Sequence, residues 1–209
     1  MKRLFLSIAL ISLLVFFAVL FCAGGEGICS VLSENSLYIG SASMHLVILF
    51  SALFFLWRKD LKTLLRDLDF PGDIKKNLLY SAMTLVSIFA VLFILAMVSM
   101  YLGFNDQQKV SEKITGLPMV VLLFAAFGAP ITEELFFRGF LAGRVGILAS
   151  SLLFGVMHLA YGSMVEVLGA FLIGVVLASA FKLSKSITPC LVAHITYNVM
   201  AITVMVLFT

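Results

Sequence analysis

Charge is scarce in this chain. Asp, Glu, Lys and Arg make up 12% of its 209 residues, about half the share of a soluble domain. Hydrophobic residues make up 62%, and the mean hydropathy is +1.16, so water is excluded as the solvent for most of the surface. Cysteine is sparse too: Cys22, Cys29 and Cys190 show no CxxC or Cys/His zinc spacing, although Cys22 and Cys29 could meet in one loop on an oxidising side. Their simplest reading is as small apolar residues. The net charge of +3 is not gathered into one dense basic face, which excludes a nucleic-acid partner. The apolar runs are apolar on both faces, which excludes the strands of an outer-membrane barrel. No long soluble domain, internal repeat or low-complexity tract interrupts the chain.

What is present is a series of apolar runs of about 20 residues, the length a bilayer demands of a helix that must satisfy its own backbone. They lie at roughly residues 4–22, 37–57, 78–102, 117–139, 147–160, 165–181 and 187–208. The expected fold is all-α: a single membrane domain over residues 1–209, a helical bundle of about seven transmembrane helices. The first run follows Lys2 and Arg3 as a secretory signal would, but its apolar stretch exceeds a signal's and predicts a retained helix. Phe21 before Cys22 is too large for a lipoprotein site. Arg58, Lys59, Lys62, Arg66, Lys75 and Lys76 form the densest basic cluster and place that loop, with the N-terminus, in the cytoplasm. Within it Leu61, Leu64, Leu65 and Leu68 recur at helical spacing, predicting a segment along the interface until Pro71 and Gly72 break it. Arg138 and Arg144 mark the cytoplasmic end of the fourth run, Lys182 and Lys185 lie between the last two, and the polar stretch 105–113 falls on the opposite side. The expected location is the cell membrane of a prokaryote.

An ionisable residue inside a span costs about 2.5–3.5 kcal/mol on insertion scales and usually marks a function. The fourth run holds Thr132, Glu133, Glu134 and Arg138. Neighbouring helical residues point about 100° apart, so the glutamates diverge, while Glu134 and Arg138, four apart, can pair. Glu133 is left over as a base able to take a proton from water. Phe154 and His158 share one face of the fifth run, and His194 and Asn198 one face of the seventh. His194 and Asn198 can donate together toward a developing oxyanion, worth roughly 2.7–4 kcal/mol per donor, and His158 can help hold the water. At about 1.5 Å per residue the three groups reach a common depth of roughly 10–16 Å, in the cytoplasmic half. Thr188 and Pro189 suit an N-cap and first turn for the last helix, and Gly128 and Pro130 predict a kink just before the glutamates.

These residues form three motifs in order: EExxxR at Glu133, Glu134 and Arg138; FxxxH at Phe154 and His158; HxxxN at His194 and Asn198. Over about residues 117–209 the chain resembles the CPBP family, the CAAX-protease and bacteriocin-processing membrane peptidases that include the type II CAAX prenyl endopeptidases. The resemblance implies a glutamate-dependent intramembrane endopeptidase in which Glu133 and His158 activate water and His194 and Asn198 stabilise the oxyanion. Glu134 and Arg138 would support them. The implied partners are the lipid bilayer and a membrane-associated or lipid-modified protein or peptide substrate. No cofactor is required by the motifs; HExxH is missing, and two histidines with carboxylates are compatible with zinc without demanding it.

Other residues read as structural. His45 lacks a polar partner at helical spacing, and Glu166 falls at the far end of the sixth run, where an interface charge is inexpensive. Gly169, Ala170, Gly174 and Ala178 predict close helix approach. Two other functions compete with the peptidase: a non-catalytic immunity or scaffold protein of the same fold, and a proton-coupled transporter. The second would show symmetry-related broken helices, of which the sequence has no sign.

Overall fold

The structure is a computed structural model that describes residues 45–48, 63 and 66–208. Two units divide the chain at Leu61. In the first, His45–Ile48 forms one helical turn. The first two expected spans otherwise lie outside the described residues, as does most of the expected interfacial segment. The second unit is all-helical, and four of its helices are long and apolar enough to cross a membrane.

The chain enters this unit through a stitched elbow. Helix breaks at Leu68, Asp69 takes a positive φ of 46°, and Gly72 follows at φ 68°. A Cβ at Gly72 would lie 2.7 Å from the Asp69 carbonyl oxygen, so glycine is required there. Asp73 then caps α1 (Ile74–Tyr101), its carboxylate accepting from the Lys76 amide at 2.8 Å. That cap starts the helix four residues earlier than the apolar run suggests. It places Lys76 in the first turn, where its ammonium donates to the Ser184 carbonyl at the end of a later helix, 2.8 Å away.

The stretch expected to be merely polar contains α2 (Gln108–Thr115). Its Val110 and Ile114 are buried with Leu122, and Leu117, Tyr161, Ile202 and Met205 pack around them, which explains a short helix among polar residues.

The third helix, α3 (Met119–Val145), runs past the expected end at residue 139 to Gly146, whose φ of 85° stops it. Arg138 is therefore no end marker. It is 2% exposed, deep in the bundle, while Arg144 alone takes the exposed terminal position, stacked 3.9 Å over the Phe140 ring. Two wide, π-helical turns interrupt α3, Phe124–Gly128 and Leu135–Leu141, and they bracket the glutamates. The first ends at Gly128, where the kink is expected. In a π turn the carbonyl of residue i pairs with the amide of i+5, and for Ala125 that partner is Pro130, which has no N–H.

After α3 comes α4 (Ile147–Tyr161), which tightens into a 3₁₀ turn over Met157–Tyr161. Next is α5 (Met164–Ser184), capped by Ser163. The last is α6 (Thr188–Phe208). Thr188 is the first residue of α6 rather than its cap. Its amide donates to the Ser186 hydroxyl at 3.3 Å, and its own hydroxyl donates to the Pro71 carbonyl at 3.0 Å. α5 packs against both α4 and α1, and α6 against α1 and α3. Small residues set the closest approach: a Cβ at Gly155 would meet the Val167 carbonyl oxygen at 2.9 Å, and one at Gly174 would meet Ser151 Cβ at 3.0 Å. The outer face of α1 leaves Leu78, Leu79, Val86 and Phe93 exposed, as a lipid-facing surface requires.

Candidate active site

The wide turns of α3 hold Ala129–Glu134 as one α-helical segment between them, and both glutamates point into the bundle, Glu133 5% and Glu134 0% exposed. Arg138 is four residues on, and its Nη1 lies 3.0 Å from Glu134 Oε1. The contact is an ion pair without hydrogen-bond alignment at that nitrogen; Nη2 donates to the Gly174 carbonyl at 3.5 Å. The guanidinium also covers the Phe154 ring, 4.8 Å from its centroid. Two buried ions cost more than their attraction returns unless further contacts engage them, and these contacts supply that engagement.

His194 completes the group from α6. Its Nδ1 donates to Glu134 Oε1 at 2.7 Å, because a carboxylate beside a guanidinium can only accept. With Nδ1 committed, Nε2 is the working nitrogen, and it faces Glu133 Oε2 at 3.7 Å. That gap is too long for a direct hydrogen bond, yet short enough for one water to contact both groups. Glu134 Oε2 makes no hydrogen bond among the described residues and keeps its acceptor capacity.

The other two expected residues stand further off. His158 Nδ1 donates to the Phe154 carbonyl at 2.8 Å, and the Phe154 ring contacts both imidazoles, its centroid 4.9 Å from that of His158 and 5.9 Å from that of His194. Asn198 Nδ2 donates to the Ala125 carbonyl at 2.9 Å. This is the carbonyl that Pro130 leaves without an amide, so Asn198 closes the wide turn from outside. An amide has two hydrogens, and the second stays available. Glu133, Glu134, Arg138 and His194 thus form one contact group, with His158 joined to it through the Phe154 ring and Asn198 one turn along α6.

Sequence reasoning had no signal for two participants. The Gly174 and Ala125 carbonyls carry no side-chain signature, although Pro130 five residues after Ala125 was a legible hint. Tyr161 stacks on His158, 6.0 Å between centroids, and lies within electrostatic range of both Glu133 and Glu166. It was readable only as an aromatic at a helix end.

The match to known families covers this same region. Residues 115–200 match the model of the Rce1-like type II CAAX prenyl endopeptidase family. The Rce1-like segment runs from the end of α2 into α6 and contains all three motifs. With four membrane-length apolar helices, the chain is an integral membrane protein, and the matched segment is similar to the CAAX proteases. Neither the curated proteins nor the solved structures gave a match.

The donors of this site do not fit a zinc ion as they are arranged. Both Nδ1 atoms are spent on Glu134 and on a carbonyl, and no three His, Cys, Asp or Glu side chains among the described residues converge as metal ligands.

Proposed function

We propose that the protein is a glutamate-dependent intramembrane endopeptidase that hydrolyses a peptide bond in a membrane-associated or lipid-modified protein. One observation carries the reading: two buried carboxylates, a guanidinium and an imidazole are built into contact between membrane-length helices, with Glu133 facing His194 Nε2 at 3.7 Å. A structural role alone would not favour four ionisable groups there, since each is expensive in a bilayer.

In this reading Glu133 removes a proton from a water that attacks the scissile carbonyl, and His158 helps hold that water. The oxygen of the tetrahedral intermediate gains negative charge, and preorganised donors lower its energy. His194 Nε2 and the second Asn198 hydrogen are those donors. Glu134 fixes the His194 ring through Nδ1, as the acid of a catalytic triad does for its histidine. When both His194 nitrogens are protonated, the two carboxylates, guanidinium and imidazolium sum to zero charge, the inexpensive state for a buried group. Collapse of the intermediate breaks the C–N bond, and the proton held by Glu133 passes to the leaving amine.

The cell membrane of a prokaryote is the proposed location, with the elbow at residues 66–76 in the cytoplasm. Purified protein in liposomes is expected to cleave a membrane-anchored peptide, and Glu133→Ala to lose cleavage while keeping its unfolding temperature. Undiminished turnover in that variant sinks the catalytic assignment. A wild-type protein that folds but cleaves no membrane peptide favours the immunity or scaffold role. Chelation followed by elemental analysis decides the metal question: cleavage retained by metal-free protein excludes zinc chemistry, and cleavage lost and restored by zinc establishes it.

A further inference from the structure

His158 and Tyr161 stand three residues apart at the end of α4, inside its 3₁₀ turn. With three residues per turn, side chains three apart lie one above the other, whereas in an α-helix they diverge by about 60°. The tightening thus brings the two rings into contact. Their centroids are 6.0 Å apart and their planes 25° from parallel, within the range of aromatic pairs. Gly162, at φ 72°, ends the helix directly after Tyr161. The His158 imidazole is therefore held by the Phe154 carbonyl at 2.8 Å, by the Phe154 ring at 4.9 Å and by the Tyr161 ring.

Tyr161 is in turn held from another element. Half-buried, it packs against the cluster formed by Val110 and Ile114 of α2 with Leu122 of α3. An eight-residue helix is too short to be stable alone, and α2 is tied to this one corner of the bundle by polar contacts as well. The Lys113 ammonium donates to the Ala160 carbonyl at 2.9 Å and that of Lys109 to the Gly162 carbonyl at 3.3 Å, the residues on either side of Tyr161. Asp106, two residues ahead of α2, accepts from the Ser163 hydroxyl at 2.6 Å and the Met164 amide at 2.8 Å. The apolar face of α2 and its three ties therefore converge on the residue that stacks on His158, although α2 carries none of the three motifs.

We propose that Tyr161, clamped by α2, is a positioning residue that fixes the plane of the His158 ring. The inference rests on the peptidase reading for its purpose, but its structural content stands apart from cleavage. Tyr161 touches no reacting atom; it acts through His158, and it acts with its ring face, so phenylalanine serves in its place. The part of the chain outside the motifs thereby reaches the site through a line of direct contacts, from Val110 and Ile114 to Tyr161 to His158.

The test uses full-length protein with ¹⁵N-labelled histidine in detergent micelles or nanodiscs, and reads solvent exchange of the ring N–H protons. In Tyr161→Leu the Nδ1 proton of His158, bonded to the Phe154 carbonyl, should exchange roughly two- to tenfold faster, the change that losing an aromatic pair allows. The Nδ1 proton of His194, bonded to Glu134, should keep its rate, and Tyr161→Phe should match the wild type. Lys113→Met, which cuts one tie of α2, should move His158 in the same direction by less, and it serves if Tyr161→Leu folds poorly. In cleavage assays Tyr161→Leu should lower kcat by about ten- to a hundredfold, the scale on which misplacing a catalytic group acts. KM should stay unchanged, and Tyr161→Phe should restore the rate. In a His158→Gln background Tyr161→Leu should cost nothing further, since residues acting as one unit are not additive. An exchange rate at His158 that does not respond, or one at His194 that responds equally, overturns the proposal whether or not the protein cleaves. Absence of cleavage in the wild type with a responding His158 counts against the peptidase reading alone.

Discussion

Adjacent glutamates in α3 hold different jobs because a helix turns about 100° between them. Glu133 faces Nε2 of His194 at 3.7 Å, whereas Glu134 is wedged between Arg138 and His194 at 3.0 and 2.7 Å. Their substitutions should therefore separate chemistry from stability. Glu133→Gln is expected to abolish turnover with little change in unfolding temperature. Glu134→Ala should cost about 3–5 kcal/mol, because it strands a guanidinium that is 2% exposed. Replacing both partners, Glu134→Leu with Arg138→Leu, should recover much of that loss, since no uncompensated charge then remains. Thermal unfolding in detergent measures all three, and a Glu134→Ala protein as stable as the wild type would contradict the buried-pair account. The i, i+4 pairing of Glu134 with Arg138 was legible in the sequence because it depends on helix geometry alone. The contact of Phe154 with His194 was not, since spacing along one helix says nothing about which ring of a neighbouring helix it meets.

Helix contacts and caps carry the next set of expectations. Gly155 faces the backbone of α5, with Val167 O at 2.9 Å and Phe171 N at 3.2 Å from an added Cβ, so neither neighbour can swing aside. Gly155→Ala should cost about 1–3 kcal/mol by overpacking. Gly143→Ala, which meets nothing within 4 Å, is the control and should unfold like the wild type. The Asp106 cap makes a pH-dependent contribution. Partial burial pushes its carboxyl up, but hydrogen bonds from Ser163, Met164 and Val165 and the nearby Lys109 outweigh this and hold it below its ordinary 3.8. A depressed folded value means that the stabilisation is complete above the unfolded value and is lost as pH falls through the folded one. Asp106→Asn should therefore destabilise at neutral pH, with the gap to wild type closing below about pH 3.8. A gap that persists unchanged at low pH would remove the charge from the explanation. None of this cap could be read from the sequence, because Asp106 and Ser163 are far apart in the chain and nothing local links them. The early start of α1 was open to inspection at Asp73.

For the whole molecule, topology is the testable quantity. The elbow is tied to the turn between α5 and α6: Ser186 donates to the Asp69 carbonyl at 2.8 Å, and the Ile187 amide to the Leu68 carbonyl at 3.0 Å. At the other end Lys113 and Asp106 join the loop after α1 to the α4–α5 connection. Reporter fusions should place residues 66–76 and 185–187 on one side and 105–113 on the other, and a common side for all three would overturn the arrangement. Hydropathy predicted five of the six helices here, since lipid imposes length and apolarity on each. It missed α2, whose few apolar residues matter only after Leu122 and Tyr161 are in place.

The two π turns of α3 have an evolutionary consequence. Each is an α-turn with one residue added, so losing a single residue from Phe124–Gly128 or Leu135–Leu141 would heal the helix into ordinary winding rather than break it. The rewinding rotates what lies beyond by about 100° relative to what precedes it. A descendant with such a deletion could keep Glu133, Glu134, His158, His194 and Asn198 letter for letter and still span the membrane. Its acids would face away from the imidazoles, and only a gap in an alignment would reveal that the cluster had come apart.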